Sequence, residues 1–182
     1  MEIKETNLDG VFEIQSKKFE DQRGLFVKTF HSDLFNESGL ECDFKESFYS
    51  VSKKGVLRGM HFQQPPHDHA KLVYVTDGEI LDVAVDIRRD SDSFGNFFYT
   101  KLSSENVKSL YMSKGFAHGF LTLSESATVT YLTTTVHSPS SDSGIRWDSF
   151  GFDWEQIFSR NELVISDRDC AFPSLSEFGV SS

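Results

Sequence analysis

An all-β fold, a sandwich or barrel with a few short helices, is the class this sequence predicts. Three observations carry it. Runs rich in Val, Ile, Phe, Tyr and Thr recur at short, regular spacing between turn signals. An Asp77-Gly78 pair sits between two such runs, a strong local sign of a tight turn between strands. Only short segments read as helix.

Taken in order, residues 12–15 read as a strand, Asp21-Gln-Arg-Gly24 as a turn and 25–30 as the next strand. Residues 31–39 predict a short helix with Ser32 as its N-cap and Gly39 as its stop. Residues 44–51 give another strand. Residues 71–76 and 79–86, joined by Asp77-Gly78, predict a hairpin. Runs at 97–102, 109–112, 119–123 and 127–135 continue the series. Beyond Pro139 the character changes: 138–144 is a loop, 147–158 is aromatic and acidic with little periodicity, and a Pro-containing tail follows Ser166-Asp-Arg-Asp169. This C-terminal third is expected to wrap the sheet and close one end of it.

The 182 residues suit one domain spanning 1–182. A chain of this length buries roughly 70% of its unfolded surface, so stability needs neither disulfide nor metal. Eighteen Phe, two Trp and five Tyr supply a large aromatic core. A net charge of −10 argues against general nucleic-acid binding, which needs a basic face, but leaves room for a local positive pocket. Cys42 and Cys170 lie far apart in sequence and read as free thiols in a reducing compartment. The first residues lack the apolar run of a signal peptide, and no segment has the roughly 20 apolar residues of a membrane span. The expectation is a cytoplasmic protein without nucleic-acid or membrane partners.

Chemistry concentrates in Gly55-Val-Leu-Arg-Gly-Met-His61, in Lys71 and in Gly115-Phe-Ala-His-Gly-Phe120. Arg58 and Lys71 suit an anionic or enolate-forming substrate. His61 and His118 are the side chains with unperturbed pKa nearest neutrality. Strand alternation puts His61 on the face opposite Met60 and Phe62, toward a cavity or solvent. His61, His67, His69 and His118 are also possible imidazole ligands for a metal.

The blocks Asp21-Gln-Arg-Gly-Leu-Phe26, Gly55-Val-Leu-Arg-Gly-Met-His-Phe-Gln63, Ala70-Lys-Leu-Val73, Asp82-Val-Ala-Val-Asp-Ile-Arg-Arg89, Gly115-Phe-Ala-His-Gly-Phe120, Gly144-Ile-Arg-Trp-Asp148 and Ser166-Asp-Arg-Asp169 together resemble the dTDP-4-dehydrorhamnose 3,5-epimerases, in order and spacing. The resemblance implies a cupin-like jelly-roll fold, a homodimer, and no metal or organic cofactor. It also implies action on a nucleotide-linked 4-keto-6-deoxyhexose in deoxysugar synthesis. Protons at C3 and C5 of such a sugar are α to the carbonyl. Inversion needs a base, an acid on the opposite side and positive charge near the carbonyl oxygen. By resemblance His61 is the base, Asp169 its orienting partner, Lys71 the enolate stabiliser and Tyr131 the acid. Arg23, Phe26, Arg58 and His118 resemble residues around the diphosphate, nucleotide and sugar. His67-Asp-His69 resembles the HxH of metal-binding cupins, but Tyr74 stands where those carry Glu, and Thr122 where they carry Asn. No metal is therefore expected.

The chain departs from the family at four positions in or near the recognition shell. Lys28 stands where the family commonly has Glu, Glu46 where it has Gln, Phe48 where it has Asn, and His137 where it has a second Tyr. The expected substrate contacts thus include Lys28, Glu46, Phe48 and His137, with recognition altered around an intact reaction set. Other readings are a single-centre epimerase or ketoisomerase on another nucleotide sugar, a non-catalytic sugar-nucleotide binder, and a metal-dependent cupin. Residues 3–14 look like an isolated strand suited to pairing with a second copy.

Overall fold

The computed structural model describes residues 1–178. Among these the strands are β1 (Glu2–Glu5), β2 (Val11–Gln15), β3 (Lys18–Asp21), β4 (Gly24–Val27), β5 (Glu46–Lys53), β6 (Leu57–Gln63), β7 (Lys71–Asp77), β8 (Glu79–Asp86), β9 (Phe97–Ser103), β10 (Lys108–Met112), β11 (Phe116–Thr122), β12 (Ser126–Thr133) and β13 (Asp142–Gly144). Two short helices, α1 (Ser32–Glu37) and α2 (Asp167–Cys170), and two single 3-10 turns complete the set.

Two antiparallel sheets face each other. One has six strands in the order β1-β2-β10-β7-β12-β5, the other five in the order β13-β6-β11-β8-β9, and β3 and β4 form a separate ribbon. Between the sheets lie Val73, Val75, Leu110, Val129 and Tyr131 from one side and Ile80, Ala84, Leu102 and Phe120 from the other. Strict alternation on β12, where Ala127, Val129, Tyr131 and Thr133 are buried, sends these side chains inward.

Both outer faces are covered. Helix α1 lays Phe35 on Ile14, Leu72 and Tyr111, and Phe30, Phe35 and Phe44 meet edge to face. Such aromatic pairs add about 0.5–1.5 kcal/mol each beyond burial. Trp147, Phe150 and Trp154 of the C-terminal third cover the five-stranded sheet. That segment lies along a sheet face, and Leu57 N–H donates to Val164 O at 3.0 Å.

Three expectations need correction. The segment at 71–86 is not a hairpin: β7 pairs with β10 and β12, whereas β8 pairs with β9 and β11. Asp77-Gly78 is a corner that carries the chain from one sheet to the other. Gly78 has φ +79°, and a Cβ there would fall 2.1 Å from Ser126 O, so the corner requires glycine. All but the first residue of β8 is buried, because both its faces are covered. Second, residues 3–14 are built into the chain's own sheet, where β1 pairs with β2 and β2 with β10. At α1 the N-cap is His31, not Ser32, and no side chain caps it.

Candidate active site

A cavity of about 420 Å³ opens between the two sheets, lined by side chains from both. From β6 come Arg58, His61 and Gln63, and from β11 His118; from β5 come Glu46, Phe48 and Ser50, from β7 Lys71, and from β12 Tyr131 and Thr133.

Arg58 and His61 are three residues apart, a spacing that a regular strand would send to opposite faces. Gly59 resolves this. Its φ is +132°, and the β6–β11 register shifts between His118 and Phe120. A Cβ at Gly59 would sit 2.5 Å from Gly119 Cα, so no other residue fits where the two strands close. The irregularity turns both cation and imidazole into the cavity while Met60 stays in the core.

His61 Nε2 is 2.8 Å from Asp169 Oδ1, and Gly59 N–H donates to Asp169 Oδ2 at 3.1 Å. Asp169 is carried by α2, whose N-cap Ser166 accepts the Asp169 N–H at 3.1 Å. Burial alone would raise the Asp169 carboxyl, but the bonds from His61, Gly59 and Ser166 hold it below the usual range. The carboxylate therefore accepts a hydrogen bond from His61 Nε2–H, which leaves the Nδ1 lone pair as the basic atom. Asp169 lies behind the histidine, buried.

Beside His61, in register on the next strand, stands His118. Its Nε2 is 2.7 Å from Asp82 Oδ1, and burial lowers its pKa although Asp82 opposes this. Asp82 is fully buried, and its Oδ2 has no hydrogen-bond partner among the described residues. Lys71 enters from the facing sheet. Burial pulls its pKa down to about 8, with the charges of Asp82 and Asp142 resisting. A lysine with a countercharge but no fixed ion pair suits transient stabilisation of an oxyanion.

Tyr131 is buried on β12, its hydroxyl 3.2 Å from Ser50 Oγ. Burial pushes the phenol well above its ordinary value, so it keeps its proton. Phe48 stacks on its ring with centroids 4.7 Å apart.

Of the residues picked out in sequence, His61, Lys71, Tyr131, Glu46, Phe48, Arg58, His118 and His137 line one cavity. Arg23, Phe26 and Lys28 do not. They sit on or just after the β3–β4 ribbon; Arg23 pairs with Asp21 at 2.6 Å, and Phe26 is 62% exposed. His67 bonds to Ser141 Oγ at 2.9 Å, and His69 meets Gln63 and Thr135 at 3.2 and 3.3 Å. His69 is driven down to about 3, first by burial and then by Lys71. Among the described residues no three His, Cys, Asp or Glu side chains converge as metal ligands.

Sequence reasoning missed Ser50, Gln63, Thr133, Asp142 and Arg168, all on the cavity wall, and singled out His69 there only as a possible metal ligand. Period-two alternation from Glu46 and Phe48 would have found Ser50, and from Tyr131 would have found Thr133. A carboxylate inside the apolar run of β8 was the available signal for Asp82. Arg168 and Asp142 pair at 2.6 Å across the rim, a contact with no local signature.

Comparison with known proteins agrees with this geometry. A family model described as dTDP-4-dehydrorhamnose 3,5-epimerase matches residues 5–177. The chain is 43% identical over 174 residues to the dTDP-4-dehydrorhamnose 3,5-epimerase of Methanothermobacter thermautotrophicus, covering 94% of this chain and 93% of the relative. Among solved structures it resembles a dTDP-6-deoxy-D-glucose-3,5-epimerase from Legionella pneumophila in complex with dTDP-4-keto-L-rhamnose. That match has a TM-score of 0.91 at 36% identity and covers 97% of this chain and 94% of the other. It also resembles a 3′-monoepimerase from Streptomyces bikiniensis in complex with dTDP-quinovose, with a TM-score of 0.88 at 27% identity, covering 95% and 87% of the two chains.

Proposed function

We infer the activity from a premise that the comparisons establish: the chain belongs to the dTDP-4-dehydrorhamnose 3,5-epimerase family. It is a nucleotide-sugar epimerase with the cupin-like β fold of its relatives. Its substrate is a nucleotide-linked, dTDP-linked by family, 4-keto-6-deoxyhexose, inverted at C3, C5 or both during deoxysugar synthesis.

One observation carries the chemistry. His61 and Tyr131 come from opposed sheets, His61 on β6 and Tyr131 on β12, and both face one cavity. A sugar held between them has a base on one face and a proton donor on the other. His61 Nδ1 takes the α-proton, and the electron pair of the broken C–H bond moves onto the ketone oxygen. The Lys71 ammonium stabilises that oxygen. Tyr131 then supplies a proton to the opposite face, which inverts the centre. Arg58, whose Nε donates to Ser52 Oγ at 2.9 Å, gives the mouth a positive charge for a diphosphate despite the acidic whole, whereas the charge of Arg168 is balanced by Asp142.

Arg23, Phe26 and Lys28 lie outside this chain's own cavity, so a role for them requires a second copy. We therefore read the active form as a homodimer. Cys42 and Cys170 are free thiols, which supports a reducing, cytoplasmic setting. Among the described residues no helix is long and apolar enough to cross a membrane.

The test is incubation in deuterated water with dTDP-, UDP-, CDP- and GDP-linked 4-keto-6-deoxysugars, followed by NMR. Deuterium at C3 or C5 with inversion supports the reading. No exchange on any member of the panel overturns it.

A further inference from the structure

Phe48 and Tyr131 face each other directly in the β5–β12 register. Their rings stack with centroids 4.7 Å apart and planes 16° from parallel. Ser50 Oγ holds the phenol oxygen at 3.2 Å, and His118 meets the ring in a T-shaped contact, centroids 6.1 Å apart and planes at 72°. Tyr131 is thus bounded on one ring face by Phe48, in a T-shaped contact by His118 and at its tip by Ser50. Phe48 itself is 45% exposed at the sheet edge, so it adds little to the core and its large ring serves the cavity. Asparagine, the family's common residue here, would leave that tyrosine face open to solvent.

We propose that Phe48 is a positioning residue for the acid: by covering one face of the Tyr131 ring it confines the hydroxyl to one place, and thereby sets which of the two carbons flanking the ketone receives the tyrosine's proton. The inference rests on the epimerase reading. In the step concerned, the Tyr131 O–H bond breaks and its proton forms the new C–H bond, using the enolate's electron pair. The O–H pair stays on the phenolate, which regains a proton from water, while protonated His61 returns its proton to water. C3 and C5 are two bonds apart on either side of the carbonyl. A misplacement on the order of 1 Å can cost about a hundredfold in proton transfer, so a phenol fixed in one place cannot serve both carbons equally.

The experiment uses the full chain and dTDP-4-keto-6-deoxyglucose in deuterated water, with deuterium at C3 and C5 counted separately by NMR during early turnover. Wild type should label the two carbons unequally. Phe48→Leu and Phe48→Asn should move the ratio at least about tenfold toward unity, and Phe48→Trp, which keeps a flat ring, should preserve it. A Phe48 that merely contacts substrate would change KM and leave the ratio alone. In protein carrying ring-labelled tyrosine, the Tyr131 resonance, assigned by its loss in Tyr131→Phe, should shift in the Leu and Asn variants through loss of the stacked ring. Equal labelling in wild type overturns the inference. So does an unmoved ratio in both variants while exchange continues, or an unmoved resonance; each leaves the epimerase reading standing. Absence of exchange by wild type at both carbons overturns that reading and this inference together.

Discussion

Glu46 Oε2 accepts the backbone N–H of His137 at 2.7 Å. Two positions at which this chain departs from its family's common residues are thereby joined to each other. The segment after β12 that carries His137 is also held by Gln63, whose Oε1 accepts Ser138 N–H at 2.6 Å and whose Nε2 donates to Val136 O at 3.3 Å. A carboxylate makes the stronger, charge-assisted bond that an amide would make more weakly. Glu46 therefore acts on the cavity rim through the position of His137.

This coupling predicts non-additive effects. Specificity constants on dTDP-4-keto-6-deoxyglucose should be compared for Glu46→Gln, His137→Tyr and the double variant. The double should differ from the product of the singles by an interaction energy of about 0.5 kcal/mol or more, as contacting residues usually do. Because the backbone N–H survives in His137→Tyr, strict additivity would show that Glu46 does not act through the His137 side chain and that the two changes are independent drift.

The His61–Asp169 pair predicts a loss of chemistry with little loss of binding. His61→Ala should cut solvent exchange into the sugar at least about a hundredfold, the usual scale for a general base. Asp169→Asn should also cut it, because the amide has one acceptor oxygen for the two donors Gly59 N–H and His61 Nε2–H and carries no charge to stabilise the imidazolium. Nucleotide affinity by calorimetry should change far less in either. The folded pKa of Asp169 is depressed, so its stabilising bonds persist above the unfolded value and fade as pH falls through the folded one. Undiminished exchange in His61→Ala would remove it as the base.

The strands were legible where one face is buried and the other is not, as on β12 with its strict alternation. The corner at Asp77-Gly78 was not, because a turn signal fixes a change of direction and says nothing about which strand the chain pairs with next. His61 and Lys71 were legible through the family's blocks, and Tyr131 through its sequence separation from His61. The pairing of Arg168 with Asp142 and the burial of Asp82 depend on contacts between residues far apart in sequence, which no local pattern encodes. Arg58 and His61 share a wall only because Gly59 breaks the period, and a strict alternation rule would have separated them.

Lys71 predicts an alkaline limb. Its pKa near 8 means that activity should fall as pH rises through that value and the ammonium at the enolate oxygen is lost. Lys71→Arg, charged throughout, should retain its residual activity at higher pH. The stability effect has the opposite sign. Between about 8 and the unfolded value of 10.5 the unfolded chain holds a proton that the folded one has released, so this group's contribution to stability rises with pH. Lys71→Met should accordingly be inactive yet more resistant to urea at pH 7. A flat rate profile from pH 7 to 9 would contradict the assignment.

The proposed chemistry, in which Lys71 supplies the charge at the oxyanion, predicts metal independence. Exhaustive chelation should leave the rate within about twofold, far from the several kcal/mol that a Lewis acid would contribute. Activity lost to chelator and restored by one specific ion would replace the proposed mechanism with a metal-assisted one.

The ribbon of β3 and β4 stands off the sandwich with Phe19, Leu25 and Phe26 at 57%, 48% and 62% exposure. On the open edge strand β5, Tyr49 and Val51 are 71% and 56% exposed. Apolar side chains so displayed on a ribbon and an edge strand call for cover. The expected assembly is a homodimer in which the ribbon brings Arg23, Phe26 and Lys28 to the partner's cavity. Light scattering at micromolar concentration should give twice the chain mass, and Phe26→Asp should weaken association and raise KM. Mixing two inactive proteins tests the geometry directly. Where an Arg23→Ala chain dimerises with a His61→Ala chain, the cavity that keeps His61 receives Arg23 from its neighbour, so one site is whole and activity returns. If Arg23 served its own chain's cavity, no mixed dimer would contain a whole site. A clean, fully active monomer, or a mixture that stays inactive while exchanging subunits, would rule the arrangement out.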